Sequence, residues 1–439
     1  MSARFSTLAQ WLAWQETLHP KAIELGLERV REVAIRLDLH QPAHRVITVG
    51  GTNGKGSCVA FLDAILRAAN YRVGAYTSPH LLRYNERIRI DGREVEDATL
   101  CRAFDRIDAA RGAISLTYFE FGTLAALDIF REAGVAVAVL EVGLGGRLDA
   151  VNILDTDAAL VTAIDLDHMD WLGPDRDSIG FEKAGIYRAG RPAICADPEP
   201  PARLLEHALR LGAKLFRVGR DYSFQSGAMD WQWRHGSVIW DELPLPQLFG
   251  RHQIANAAAA LMTLTTLSAQ LPIDSDAVRD GLQQARSPGR CQIVPGPVEW
   301  ILDVAHNAHA ADALAQGLRD RFCSGRTWVV LGMLADKDAA ALAGQLDGLV
   351  DGWFAATLDG SRGRTGVQLA DTLQQAGITA VPFAGVSEAC LAAARQAIPG
   401  DRIVICGCFL YRSPSTHSTR QNESVVHIRS GRIKAWIVA

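Results

Sequence analysis

The run GGTNGKGS (50–57) gathers glycines 50, 51, 54 and 56 around Lys55, and these residues could hold a phosphate. Glycine lets backbone amides turn inward and approach an anion closely, and a following helix offers its positive end. A lysine in the loop reaches terminal phosphates, and a hydroxyl such as that of Ser57 can touch a metal ion. The strict phosphate-loop pattern has a glycine where Val49 stands and places serine or threonine directly after the lysine; here Gly56 separates Lys55 from Ser57. A glycine-rich strand-to-helix turn with a surface lysine has the same outline, but the apolar run before it and the helical spacing after it favour phosphate binding. Such a loop needs a metal partner, usually an acid closing a neighbouring strand. Glu141, directly after VAVAVL, is placed for that, although a carboxylate there could also cap a loop. The run AALVTAI delivers DLDHMDWLG, in which His168 could ligate a metal through a neutral imidazole; a structural histidine among solvated Asp165, Asp167 and Asp170 is equally consistent.

These groups need a scaffold, and the chain supplies one. HRVITVG, SCVAFLDAILRAAN and VGAYTS read as strand, helix and strand. TYFEFGTLAALDIFREAG reads as a buried helix, and VAVAVLEVG and DAALVTAID as all-apolar strands, which suits a parallel sheet covered on both faces. After the turn-forming SPG (287–289) the alternation resumes, with strands at VEWILDVA, RTWVVLG, GWFAAT and DRIVICG and a helix at AADALAQGLRDRF. The expected fold is α/β with a domain boundary there: residues 1–286, then a smaller domain over 287–439. The irregular stretch 235–253 is expected to carry a small β insertion.

With 439 residues and a net charge of -4, the chain has the size for two or three domains and no basic field for nucleic acid or an anionic membrane. No apolar run reaches the roughly 18 residues of a membrane span, and the eight scattered cysteines suit buried thiols in a reducing compartment. A cytoplasmic protein is expected.

Taken together, GGTNGKGS, TSPHLLRYNERIRI, TYFEFGTLAAL, LEVGLGGRLDAVN, DHMDWLG, EKAGI, GRHQIANAAAA, SPGR and LDVAHNAHA resemble the folylpolyglutamate synthase/dihydrofolate synthase family of the Mur ligase superfamily. The motifs run in the family's order, and the variant phosphate loop belongs to it. The resemblance implies a P-loop-containing Mur-ligase-type ATPase domain followed by a smaller Rossmann-like α/β domain. It also implies an ATP-driven amide ligase that phosphorylates a carboxylate and lets the amino group of glutamate displace phosphate. Positioning and charge neutralisation suffice for such chemistry, in keeping with the lack of a nucleophile triad.

Carried over by position, the resemblance assigns Thr52, Asn53, Gly54, Lys55, Gly56 and Ser57 to the phosphates of ATP. Ser57, Ser78, Glu141 and His168 are assigned to Mg2+, with a pair of ions expected; Ser78 could otherwise be a turn residue before Pro79. Lys183 of EKAGI matches a lysine that the superfamily carbamylates to N6-carboxylysine, whereas on the residues alone a helix-surface lysine paired with Glu182 reads as well. For the second domain, Asn256, Arg290 and Asp303 match residues that contact ATP, and His306 matches a position at the nucleotide or reaction site. Domain closure over ATP is expected to assemble the site and exclude water. The pterin end is expected against the first domain, at Leu25, Gly26 and Leu27, at Arg83, at Thr117, Tyr118, Phe119, Glu120 and Phe121, and at Leu148, Asp149 and Ala150. There Phe119 or Phe121 would stack on the ring and Asp149 would bond its edge.

The expected partners are dihydropteroate or a reduced folate, L-glutamate and ATP, on a monomer. TYFEFGTLAAL and LDVAHNAHAADAL look most like the bifunctional bacterial form. A polyglutamylation-only enzyme shares all these residues; a Mur-type cell-wall ligase is opposed by TSPHLLRYNERIRI, and a non-catalytic nucleotide sensor would not need Asn256, Arg290 and Asp303. The chain departs from the family at its end: GCFLYRSPSTHSTRQ replaces the usual GSF and Thr-Val-Ala helix, so from about residue 410 the last helix is expected to be missing or replaced and the second domain to be less stable.

Overall fold

The runs at 46–50, 137–141 and 158–161 have no polar face to give to water, so they pair inside one sheet, buried along their length. The computed structural model describes residues 4–21, 23–360 and 362–408, with the backbone of 428–429 and 432–433. The expected loss of the last helix from about residue 410 lies outside the described residues. Two compact units are present. Met1–His80, Tyr84–Gln247 and Gln253–Arg286 form one, and Leu81–Arg83, Leu248–His252 and Ser287–Ala439 the other.

In the first unit the strands are β1 (Arg45–Gly50), β2 (Val73–Tyr76), β3 (Ile88–Ile90), β4 (Arg93–Glu94), β5 (Val137–Glu141), β6 (Ala158–Val161), β7 (Pro192–Cys195) and β8 (Lys214–Arg217). They form one sheet in the order β4-β3-β2-β5-β1-β6-β7-β8, parallel except for the β3 and β4 edge. The chain leaves β1 in both directions, toward β2 through β5 and toward β8 through β6, and such a switch opens a crevice at the carboxyl ends of the strands. Register brings Val49 beside Glu141 and Gly50 beside Val161, so Glu141 closes its strand level with the start of the glycine loop.

A separate three-stranded meander, β9 (Ser223–Ser226), β10 (Asp230–His235) and β11 (Val238–Pro244), sits where a β insertion over 235–253 was expected. It begins earlier because Trp231 and Trp233 alternate inward, donating Nε1 to the Pro244 and Ala258 carbonyls at 3.0 and 3.1 Å.

The helices of this unit are α1 (Leu8–Leu18), α2 (Glu28–Arg36), α3 (Lys55–Ala68), α4 (Asp97–Arg111), α5 (Tyr118–Ala133), α6 (Met169–Leu172), α7 (Arg176–Ala184), α8 (Ala202–Leu211), α9 (His252–Thr266) and α10 (Ser275–Gln284). α5 begins in a capping box: Thr117 Oγ1 accepts the Glu120 amide, and the Glu120 carboxylate accepts the Thr117 amide at 2.7 Å. Gly134 ends it in the left-handed conformation.

The second unit holds β12 (Gln292–Val294), β13 (Glu299–Leu302), β14 (Thr327–Gly332), β15 (Gly352–Ala356), β16 (Ala380–Phe383) and β17 (Arg402–Gly407), in the order β12-β13-β17-β14-β15-β16. All are parallel to their neighbours except β12. Side chains alternate across this sheet. Val329, Leu331 and Val404 pack with α11 (Ala308–Asp320), α12 (Ala339–Gln345) and α13 (Gly366–Gln375), while Trp328, Val330 and Ile403 pack with α14 (Val386–Gln396). The cysteines are free thiols. No helix among the described residues is long and apolar enough to cross a membrane.

Candidate nucleotide and acceptor site

β1 delivers Gly50, the loop turns, and α3 starts at Lys55 with no side chain capping its first turn. The loop is fixed from the next strand. Thr162 Oγ1 lies 3.2 Å from the Gly50 carbonyl and 2.7 Å from that of Asn53, and Thr52 and Asp165 exchange hydrogen bonds at 3.1 Å. Thr162 was not picked out in the sequence, although a threonine ending an apolar strand was the available signal. Gly51 has φ +137, and a Cβ there would overlap Thr162 Oγ1. Gly51→Ala should therefore destabilise the protein by on the order of 3 kcal/mol in urea unfolding, combining backbone strain with overlap. Gly219→Ala, at φ +76 with nothing within 4 Å, should cost about 1 kcal/mol from strain alone. Equal costs would contradict a close-packed loop.

Two lysines meet on this loop. Lys55 Nζ is 3.1 Å from the Gly51 and Thr52 carbonyls, and Lys183 Nζ is 2.9 Å from the Gly51 carbonyl. Lys183 is 3% exposed and does not pair with Glu182, which corrects the surface-lysine alternative. Glu182 instead takes Arg147, Nη2 to Oε1 at 2.8 Å, and its carbonyl accepts the Arg147 amide at 2.8 Å. A Cβ at Gly146 would lie 2.7 Å from the Glu182 carbonyl oxygen, so the GLGGR loop lies directly on α7 and fixes Lys183. Burial, reinforced by the charge of Lys55, lowers the Lys183 ammonium to about 7.

The other expected metal donors partly converge. The Ser78 amide donates to Glu141 Oε2 at 3.1 Å, and Glu141 is 2% exposed. Ser57 is buried in the first turn of α3. His168, in the left-handed conformation at the start of α6, is part-buried, with Nε2 3.8 Å from Asp167 Oδ2. Among the described residues no three His, Cys, Asp or Glu side chains gather to hold a metal; the expected set has only Glu141 and His168 of that kind, beside two serine hydroxyls. A carboxylate, an imidazole and hydroxyls suit a hard cation that keeps several waters, so the donor types fit Mg2+.

The expectation grouped Asn256 with the second domain, but it lies in the first unit, on α9, where a Cβ at Gly54 would meet its Oδ1 at 2.5 Å. The buried Cys58 thiol donates to the Asn256 carbonyl at 3.5 Å.

At the expected pterin positions, Gly26 turns with φ +154 and its amide donates to the Leu148 carbonyl at 3.4 Å, joining two of the expected segments. Leu25 and Leu27 are half-buried. The loop before α2 is tied to α5 by Arg29, which reaches Glu120 Oε1 at 3.1 Å and Glu24 Oε2 at 2.8 Å. Asp149 accepts the Gly143, Leu144 and Val151 amides at 3.0, 2.9 and 3.0 Å. Burial nevertheless raises its carboxyl to about 6. Ala150 is buried beside it. Phe119 is half-buried against Gly143 and Tyr76. Phe121 is corrected to core: it is fully buried against Trp11, Trp14 and Phe104 and is not placed to stack on a ligand. Arg83, expected on the first domain, groups with the second unit.

Within the second unit, the Asp303 carboxylate after β13 accepts the Cys291 and Ala305 amides, each at 2.7 Å. His306 Nδ1 lies 2.8 Å from the Val304 carbonyl, and the Val304 amide binds the Gly289 carbonyl at 2.8 Å, linking the loop of Arg290 to that of Asp303.

Residues 49–264 match the Mur ligase middle domain, and residues 289–409 match the Mur ligase, glutamate ligase domain. The chain is 46% identical to the dihydrofolate synthase/folylpolyglutamate synthase of Escherichia coli strain K12, over 92% of this chain and 93% of that one. It is 40% identical to the protein of that name from Haemophilus influenzae, over 92% and 95%. The structure of E. coli FolC in complex with DHPP and ADP superposes with TM-score 0.88 at 46% identity, covering 93% of this chain and 96% of that one. A bifunctional folylpolyglutamate synthase/dihydrofolate synthase with Mn, AMPPNP and L-glutamate bound gives 0.86 at 47%, covering 93% and 97%. The chain belongs to the dihydrofolate synthase/folylpolyglutamate synthase family of the Mur ligases.

Proposed function

We infer that this chain is an ATP-dependent amide ligase that joins L-glutamate to 7,8-dihydropteroate and adds further glutamates to reduced folates. The observation that carries the reading is the convergence of Lys55 and Lys183 on the Gly51 carbonyl, in a chain 46% identical over 92% of its length to a dihydrofolate synthase/folylpolyglutamate synthase.

A carboxylate is a poor electrophile until it carries a phosphoryl group. In this reading the amides at the start of α3 and Lys55 hold the β- and γ-phosphates of ATP in line with the acceptor carboxylate, where positioning and charge neutralisation supply most of the acceleration. Ser57, Ser78, Glu141 and His168 would hold Mg2+, which would neutralise charge on the phosphates. The amino group of glutamate then attacks the acyl phosphate, a C–N bond forms, and phosphate leaves. We assign to Lys183 an N6-carboxylysine: a buried amine near pKa 7 is substantially neutral at physiological pH and can take up carbon dioxide, which turns a cation beside the metal donors into an anion.

Arg290, Asp303 and His306 are assigned to ATP and the reaction site, with glutamate on the side of the second unit. Asp303→Ala would release the Cys291 and Ala305 amides it holds. It should raise the KM for ATP by roughly tenfold or more with the acceptor KM little changed. An effect confined to acceptor affinity would contradict the assignment.

The test of the function is phosphate release from ATP, magnesium and glutamate with dihydropteroate, with tetrahydrofolate and with no acceptor. Release with both acceptors, with amide products of matching mass, supports the bifunctional ligase; release with tetrahydrofolate alone leaves a polyglutamylation enzyme, and acceptor-independent release refutes a ligase.

A further inference from the structure

Arg87 packs against an imidazole and two tyrosine rings. It follows Tyr84, Asn85 and Glu86 in a short 3-10 turn, and its carbonyl accepts the Thr77 amide at 2.9 Å, one residue before Ser78. Its Nε donates to His80 Nδ1 at 2.7 Å, and its guanidinium lies 5.4 Å from the Tyr84 ring and 5.6 Å from the Tyr118 ring. Tyr76 contacts it as well. Among the described residues it makes no ion pair with a carboxylate.

Apart from Glu86, its neighbour in the chain, the side chains against it are an imidazole and tyrosine rings. His80 Nδ1 accepts from Arg87 Nε, so that ring nitrogen offers a lone pair and no proton. Burial pushes Tyr84 well above the ordinary tyrosine value. Tyr76 takes a side-chain hydrogen bond from the guanidinium, and ring faces attract it without consuming N–H donors, so the remaining Nη donors can take a planar anion. The hydroxyl of Tyr84, buried against Gly122, has no hydrogen-bond partner either.

The box stands at the first turn of α5. Tyr118 forms one wall, and Phe119, the next residue, packs on Tyr76 with ring centroids 5.9 Å apart. This is the turn assigned above to the acceptor, and the inference rests on that reading. We propose that Arg87, framed by Tyr76, His80, Tyr84 and Tyr118, is the receptor for a carboxylate of the acceptor substrate. Two carboxylates qualify: the reacting one, which both acceptors carry, and the α-carboxylate, which only the glutamylated acceptor carries in addition.

The experiment is Arg87→Met, and Arg87→Lys beside it, assayed with dihydropteroate and with tetrahydrofolate at saturating ATP and glutamate. Arg87→Met should raise the acceptor KM by roughly 10- to 100-fold, leave the KM for ATP unchanged, and be partly rescued by lysine, which keeps the charge but not the fork. A rise with both acceptors identifies the reacting carboxylate; a rise with tetrahydrofolate alone identifies the α-carboxylate. If Arg87→Met does not fold, Arg87→Lys carries the test with a smaller rise of the same pattern. An unchanged KM for both acceptors in a folded variant, or a lowered melting temperature with kcat reduced and acceptor KM intact, overturns the proposal and leaves Arg87 a structural strut. Absence of acceptor-dependent turnover in the unsubstituted protein would overturn the ligase reading instead.

Discussion

Lys55→Ala should lower acceptor-dependent phosphate release by roughly a thousandfold or more, with the fold intact. The ammonium rests on the Gly51 and Thr52 carbonyls at 3.1 Å, contacts that are replaceable by water. On the proposed reading, what is not replaceable is a positive charge where the γ-phosphate would gain charge in the transition state. Lys55→Arg keeps the charge but brings a wider, planar head to a loop shaped for a point charge, and it should recover only a small part of the activity. Unchanged melting behaviour with activity lost separates this role from a structural one; near-normal turnover of the alanine variant would refute the phosphate loop.

Lys183→Ala should remove most of the activity, roughly a hundredfold or more, and short carboxylates added to the assay should restore part of it. The cavity left in α7 lies beside Gly51, and formate or acetate would place an anion where the proposed carbamate would stand. The titration has a defined sign. The folded-state pKa of Lys183 lies below the ordinary lysine value, so the neutral amine, the form that takes up carbon dioxide, increases as pH rises through about 7. Lysine in an unfolded chain titrates near 10.4. Between these values the unfolded state binds more protons, so this residue's destabilisation fades as pH rises across the window and is greatest below it. Activation of the unsubstituted protein by bicarbonate should accordingly be stronger at pH 8 than at about pH 6. Full activity of the alanine variant without any added carboxylate would make carbamylation irrelevant.

What could be read from the sequence was local. Strand, glycine loop and helix follow one another within residues 45–68, and an apolar strand closing in Glu141 can be recognised from its own run. The burial of Lys183 was not legible, because it arises from Gly51, 132 residues earlier, and from the GLGGR loop lying on α7. Phe119 and Phe121 looked alike because α5 is apolar on most faces; packing against Trp11 and Phe104 separates core from surface. Asn256 was grouped with the second domain through the family match, yet α9 packs with the first unit, which long-range contacts decide and local spacing does not. Arg87 lay inside a motif carried by the family resemblance, but its setting against an imidazole and tyrosine rings appears only once His80, Tyr84 and Tyr118 surround it.

The measurement that tests the central claim most directly follows an oxygen atom. Dihydropteroate labelled with heavy oxygen in its carboxylate is incubated with the protein, ATP, magnesium and glutamate, and the released phosphate and the amide product are weighed by mass spectrometry. A ligase working through an acyl phosphate transfers a labelled oxygen to phosphate for each amide formed. Unlabelled phosphate, or phosphate released without amide, would contradict it.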